Sequence, residues 1–175
     1  MEQPVTSTNT KGIAIALIMI VIAMAIYFMN IDVNGPSKWI SNAVFIVGII
    51  WSVSSYGKQI NYNSTFGNYF AHGFKVSAVV TSIMILYLII FMLLFPEFKD
   101  KAMEQAQAQM KTGGKMSSEQ ITQAMTITRK FFMVFAIGGT LLGLLIFGAL
   151  ASLVGAAITK KEPNQFNGDV NQSPQ

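Results

Sequence analysis

From Val76 to Phe95 the chain runs almost unbroken through apolar side chains until Pro96 stops it. A helix that crosses a bilayer needs about 20 such residues, because each adds about 1.5 Å against a hydrocarbon core of roughly 30 Å. In lipid only a helix or a closed barrel satisfies its own backbone, so this run constrains the fold more than any other feature. Three further segments pass the same test: 12–29, which carries no charge; 39–56, with an aromatic residue at each end; and 131–158, long enough to tilt or protrude. The third span is taken to begin near Gly73, giving 73–95. The second is the most dilute, because Ser41, Asn42, Ser52, Ser54 and Ser55 interrupt it. The fold expected is an all-α membrane protein with four transmembrane helices.

Composition excludes the alternatives. Apolar types make up 52% of the chain and charged types 11%, whereas a water-soluble domain carries roughly 25% charged residues. The net charge of +4 comes with no dense Lys/Arg cluster, so nucleic acid is not an expected partner. With no cysteine, disulfides, thiolate metal sites and cysteine-linked lipids are ruled out. The first span has an alternative reading as a cleaved signal peptide, because Ala23, Met24 and Ala25 give a small-x-small pattern. Its apolar run continues through Ile26 to Met29, which favours a retained span.

Between the first two spans, Asn30, Asp32, Asn34, Gly35 and Pro36 mark a short hairpin loop. Before the third span, Ser64 or Thr65 can cap a helix that leads straight into it. Phe66, Phe70 and Phe74 then share one face, read as an interfacial anchor, with a ligand-binding role as the alternative. The stretch 96–130 is the sizeable water-exposed part and reads as an extramembrane helical hairpin. Glu97 to Lys111 is rich in helix formers and carries Met103, Ala106 and Met110 as a narrow apolar stripe. Thr112, Gly113 and Gly114 break it, and Ser117 with Gln120 fits a capping box, with Met116 and Ile121 placed for a hydrophobic staple. Ile121, Met125 and Thr128 continue along a second helix with room to run into the fourth span. The methionine-rich face formed by Met103, Met110, Met116, Ile121 and Met125 packs the two halves together or meets the lipid interface. Partner docking is the sharper alternative. The leader 1–11 is polar, and the tail 162–175 has the composition of a disordered segment.

If the N-terminus is cytoplasmic, the inner side holds Lys11, Lys58, Lys75, Lys160 and Lys161. The outer side then holds Lys38, Lys99, Lys101, Lys111, Lys115, Arg129 and Lys130. The near-even split gives the positive-inside rule little to act on. Lys160 and Lys161 abut the last span, and this favours both termini on the cytoplasmic side.

None of the four spans contains an aspartate or glutamate, which argues against a proton-coupled exporter. His72 and Lys75, three residues apart, would share a face and could contact anionic headgroups; the plainer reading has both among headgroups without a specific task. A lone histidine cannot build a metal site, and no HExxH, CxxC or GxSxG pattern occurs, so no catalytic residue, metal or cofactor is expected. In the last span Gly139 and Gly143 form GxxxG, and Gly148, Ser152 and Ala156, with Ala151 and Gly155, continue small residues at a spacing of four. Such residues let helices approach closely, and the partner expected is another span of the same chain, with a second copy as the alternative. Asn42, Ser77, Thr81 and Thr140 could add interhelical hydrogen bonds.

Three features together resemble the domain-of-unknown-function family 4199, small membrane proteins found largely in Bacteroidota. They are the Phe66, Gly67, Phe70, Gly73, Phe74 entrance to the third span, the turn Gly113 to Gln120, and the glycine-rich last span ending at Lys160 and Lys161. The likeness covers roughly residues 12 to 161. It implies four spans in the inner membrane and no established activity, so no catalytic residues carry over.

Taken together, the residues point first to a non-enzymatic inner-membrane scaffold or accessory subunit, acting through helix packing and the 96–130 hairpin. Its partners would be the lipid bilayer and another membrane protein or a second copy. A small oligomeric channel or carrier for a solute or lipid is second, with a polar path lined by Asn42, Ser52, Ser77 and Thr81. An intramembrane enzyme comes third, since no paired acid and base is visible.

Overall fold

The computed structural model describes residues 6–29, 31, 37–114 and 116–159, and all the regular structure among them is helical. The elements are α1 (Thr8–Phe28), α2 (Ser37–Gln59), α3 (Phe66–Leu94), α4 (Glu97–Thr112), α5 (Ser118–Lys130) and α6 (Phe132–Ile158). The breakers Asn30, Asp32, Asn34, Gly35 and Pro36 lie outside the described residues, as do Lys115, Lys160, Lys161, the tail 162–175 and residues 1–5 of the leader.

Local chemistry explains the helix limits. Ser7 caps α1, its Oγ accepting from the Thr10 amide at 3.2 Å. The last turn of the leader is therefore helix, and α1 starts before the apolar run does. Asn61 and Tyr62, both in the left-handed region at φ 51° and 57°, turn the chain between α2 and α3. Thr65 then caps α3 by accepting from the Asn68 amide at 3.4 Å, so the aromatic approach and the third span are one helix. Pro96 separates α3 from α4. Gly114, at φ +61°, closes the turn after α4. Ser117 and Gln120 form the capping box of α5, with Gln120 N donating to Ser117 Oγ at 3.3 Å and Ser117 N donating to Gln120 Oε1 at 2.9 Å. Only Phe131 interrupts the passage from α5 into α6.

Helices α1, α2, α3 and α6 are each long and apolar enough to cross a membrane. They pack antiparallel in chain order. Lys11 meets Ser52, Gly73 meets Ser152, and Gly148 meets Ser77 and Phe45, so α1 runs parallel to α3 and α2 runs parallel to α6. Helix α3 packs most extensively on α6 and also contacts α1 and α2. The core joins Ile15, Ala16 and Met19 of α1 to Phe45 and Ile49 of α2, Val76 and Val80 of α3, and Leu144 and Ala151 of α6. A second cluster, Val53, Tyr69 and Ala156, lies nearer the end where the chain begins.

The outer surface of the bundle is as apolar as its core. No more than 33% of any span's most apolar window is buried, and Val21, Leu93, Leu142 and Ile146 are all exposed. An exposed apolar belt of that extent is unstable in water and is the natural surface of a lipid-embedded bundle.

Candidate functional site

The most unusual chemistry lies at the end of the bundle where α1 and α3 begin and α2 ends. Lys11, in the first turn of α1, is 3% exposed. Its position puts it one turn above Ile15 on the face that α1 turns to α2 and α3, so the stem enters the bundle with the core residues. Its Nζ donates to the Ser52 carbonyl oxygen at 3.3 Å and to Gln59 Oε1 at 3.5 Å, and lies 6.0 Å from the centre of the Tyr56 ring. Ser52 Oγ is 3.3 Å from His72 Nε2. The His72 ring stacks on Tyr56 with centroids 4.1 Å apart and planes 5° from parallel. Tyr56 meets Tyr69 edge-on at 6.1 Å. Tyr69 is fully buried and its hydroxyl has no hydrogen-bond partner among the described residues.

Gln59 closes the cluster toward the chain start. Its Oε1 accepts from the Thr6 amide at 3.1 Å and its Nε2 donates to Thr6 Oγ1 at 3.0 Å. Gly73 permits the tight packing beneath, since a Cβ there would lie 2.7 Å from both Ser152 Oγ and Val53 Cγ2.

These positions change several sequence expectations. Lys11 belongs to a buried site and not to a polar leader. His72 is buried in the bundle while Lys75 is exposed, so the two side chains do not share one surface. A step of three residues spans about 300° of rotation only approximately matching one turn, and here the helix–helix boundary falls between them. Phe66 and Phe74 are exposed and Phe70 is half-buried, with Phe70 and Phe74 stacked at 5.9 Å, which places an aromatic face on the outside of the same end.

The small residues of α6 divide into two groups. Gly148, Ser152, Gly155 and Ala156 are buried between α2 and α3. A Cβ on Gly148 would collide with Ser77 Oγ and lie 2.6 Å from Ser77 Cβ, and one on Gly155 would lie 3.1 Å from Val53 Cβ. Gly139 and Gly143 have no neighbour within 4 Å of an added Cβ, so among the described residues the GxxxG pair makes no close helix contact. Gly12, Gly57 and Gly73 make close approaches as well, a packing role that the sequence reading assigned to none of them. Isolated glycines carry no periodic signal.

The polar side chains proposed to line a path are engaged with the protein. Ser77 Oγ donates to the Leu144 carbonyl at 3.4 Å, and Thr81 Oγ1 to the Ser77 carbonyl at 2.8 Å. Ser52 belongs to the lysine cluster, and Asn42 is half-buried.

At the opposite end, α4 and α5 form the hairpin. Met103 and Ile121 are buried, Met110 and Met125 are half-buried, and Met116 is exposed. Arg129 reaches Asp100 at 3.2 Å across the pair. A groove of about 680 Å³ lies along it, lined by Asp100, Met103, Gln107, Met125 and Arg129 among others. The hairpin is fixed to the bundle by aromatic packing. Tyr27 stands edge-on to Phe91 at 5.0 Å and near Phe95 and Phe98, and its hydroxyl donates to Glu97 Oε1 at 3.0 Å.

With these elements in place, comparison with known proteins finds one family model that matches residues 10–161, described as a protein of unknown function, DUF4199. The chain belongs to that family. The matched region takes in all four spans, the hairpin and the lysine cluster of this DUF4199 member. No curated protein and no solved structure matches it. Among its described residues no group of three His, Cys, Asp or Glu side chains is placed to hold a metal ion.

Proposed function

We propose that this DUF4199 member is a non-enzymatic scaffold or accessory subunit of the bacterial inner membrane, with both termini cytoplasmic. In this reading the hairpin α4–α5 is the working part. It presents a groove to a second membrane protein while the four spans hold it at a fixed height and angle.

The observation that carries this reading is the attachment of the hairpin. A merely connecting loop needs no anchoring, yet Tyr27, Phe91, Phe95 and Phe98 bind the base of α4 to α1 and α3, and α5 leads into α6 through one residue. The groove mixes methionines, which adapt to varied surfaces, with Asp100 and Arg129, which set polarity. The hydroxyls of Ser77 and Thr81, turned to backbone carbonyls, favour the scaffold over a carrier.

The test is purification in mild detergent of the intact chain beside a variant carrying Met103→Glu and Met125→Glu. A stoichiometric membrane-protein partner should accompany the first and be lost from the second at unchanged helicity. A homogeneous, partner-free protein that releases solute from liposomes would replace the scaffold with the carrier.

A further inference from the structure

The lysine cluster is independent of the hairpin and has a chemistry of its own. Burying a charged side chain is costly unless it is paired, and an ionisable group within a membrane bundle ordinarily has a partner that justifies it. Among the described residues Lys11 has neutral acceptors alone, the Ser52 carbonyl and the Gln59 amide oxygen, both at the long end of hydrogen-bond range. Among the described residues the acids are Glu97, Asp100, Glu104 and Glu119, and all four sit on α4 and α5 at the other end of the molecule. The ammonium group thus has no counter-anion within the described fold. Beside it is His72, a potential second donor, whose Nε2 lies 3.3 Å from the Oγ of the same Ser52 that accepts from Lys11.

The surroundings identify the missing partner. The cluster lies at a helix end, where a bilayer's phosphates are found, and the exposed Lys75 and the Phe66, Phe70, Phe74 face flank it on α3. The covering group is slight: Gln59 is held over Lys11 by two hydrogen bonds to Thr6, near the chain start. A phosphate oxygen could replace the Gln59 amide oxygen as the acceptor for Lys11.

We propose that Lys11 and His72 form a phosphate-binding site at this end of the bundle, entered by displacement of the Gln59–Thr6 clasp. The bound group is a phosphate oxyanion with a small or no substituent. It is supplied by the headgroup of an anionic phospholipid such as phosphatidylglycerol or by soluble phosphate. A choline substituent is disfavoured because its cation would approach Lys11 and Lys75.

The experiment uses the full chain in dodecyl maltoside, with lipid retention read by native mass spectrometry and thermal unfolding followed in parallel. The probes are phosphatidylglycerol, phosphatidylcholine and inorganic phosphate at constant ionic strength. The wild type should retain phosphatidylglycerol over phosphatidylcholine by about fivefold or more, the worth of one basic side chain at an anionic interface, and Lys11→Gln should abolish the preference. If instead inorganic phosphate raises the unfolding temperature of the wild type and not of Lys11→Gln, with the two lipids equivalent, the site holds and its ligand is the soluble ion. His72→Phe supplies the second arm should Lys11→Gln fail to fold. A reduced preference for the oxyanion supports the site, whereas an unchanged preference overturns the proposal. Equal behaviour of wild type and Lys11→Gln toward all three probes overturns it.

Discussion

Gly148 and Gly139 stand on the same helix and offer a matched test of how closely α6 packs on α3. Substituting either by alanine gives the same intrinsic gain of about 1 kcal/mol in helix propensity, so this gain cancels when the two variants are compared. What remains is the space each methyl meets. At Gly139 there is nothing within 4 Å; at Gly148 the new carbon collides with Ser77 Oγ, lies 2.6 Å from Ser77 Cβ and 3.3 Å from Phe45 Cζ. The hydroxyl can rotate away, but Ser77 Cβ is fixed to the α3 backbone, so the helices themselves must separate. Overpacking of this kind costs about 1–3 kcal/mol, and the rigid neighbour places Gly148 toward the upper end. Gly148→Ala should therefore unfold on the order of 5–10 °C below Gly139→Ala in the same detergent, taking about 2–4 °C per kcal/mol for a chain of this size. Thermal unfolding followed by circular dichroism or by size-exclusion profile after heating reads the difference directly. Equal unfolding temperatures would refute the α3–α6 register, and a destabilised Gly139→Ala would show that the open GxxxG face is occupied.

Other expectations follow from single contacts. Ser117→Ala removes the side-chain half of the capping box, the bond that Ser117 Oγ accepts from the Gln120 amide, and should cost about 1 kcal/mol, seen as faster amide exchange confined to the first turn of α5; protection unchanged there would count against the cap. Arg129→Ala breaks an ion pair whose side chains are 64% and 68% exposed, so stability should shift by no more than about 1 kcal/mol, and a larger loss would mean that the pair organises the hairpin. Ile146→Arg puts a charge on the exposed apolar side of α6 and should reduce membrane insertion by about 2.5–3.5 kcal/mol; a glycosylation-based insertion assay that detects no change would remove Ile146 from the lipid-facing surface. Because the chain has no cysteine, single cysteines at Asn63 and Ser118 can be labelled without background. They should react with impermeant reagent from opposite sides of the membrane, and labelling from one side would break the four-span topology.

What could be read from the sequence was set by local chemistry. The four spans, Pro96, the Gly114 turn and the Ser117–Gln120 box each depend on residues within a turn or two of one another, and those signals are present in the chain itself. Which side of a span faces its neighbours is different. Helices α1, α3 and α6 are apolar on every side, so periodicity gives no preferred face. The burial of Lys11 and His72, and the division of α6 into a packed half at Gly148 and an open half at Gly139, emerge only once α2 and α3 supply Ser52, Ser77, Phe45 and Val53 as neighbours. Lys11 was obscured further by its place at the edge of a polar segment, where a lysine ordinarily reaches outward to headgroups.

Phe131, the single residue between α5 and α6, leaves no slack in the backbone at that joint, and Phe95 with Pro96 gives little more between α3 and α4. A push or twist delivered to the hairpin helices is thus borne by the two spans that mesh most closely, with α1 bracing the base of α4 through Tyr27, while α2 stands aside from the load path. The molecule has the mechanics of a handle fixed at two adjacent points to one half of its frame.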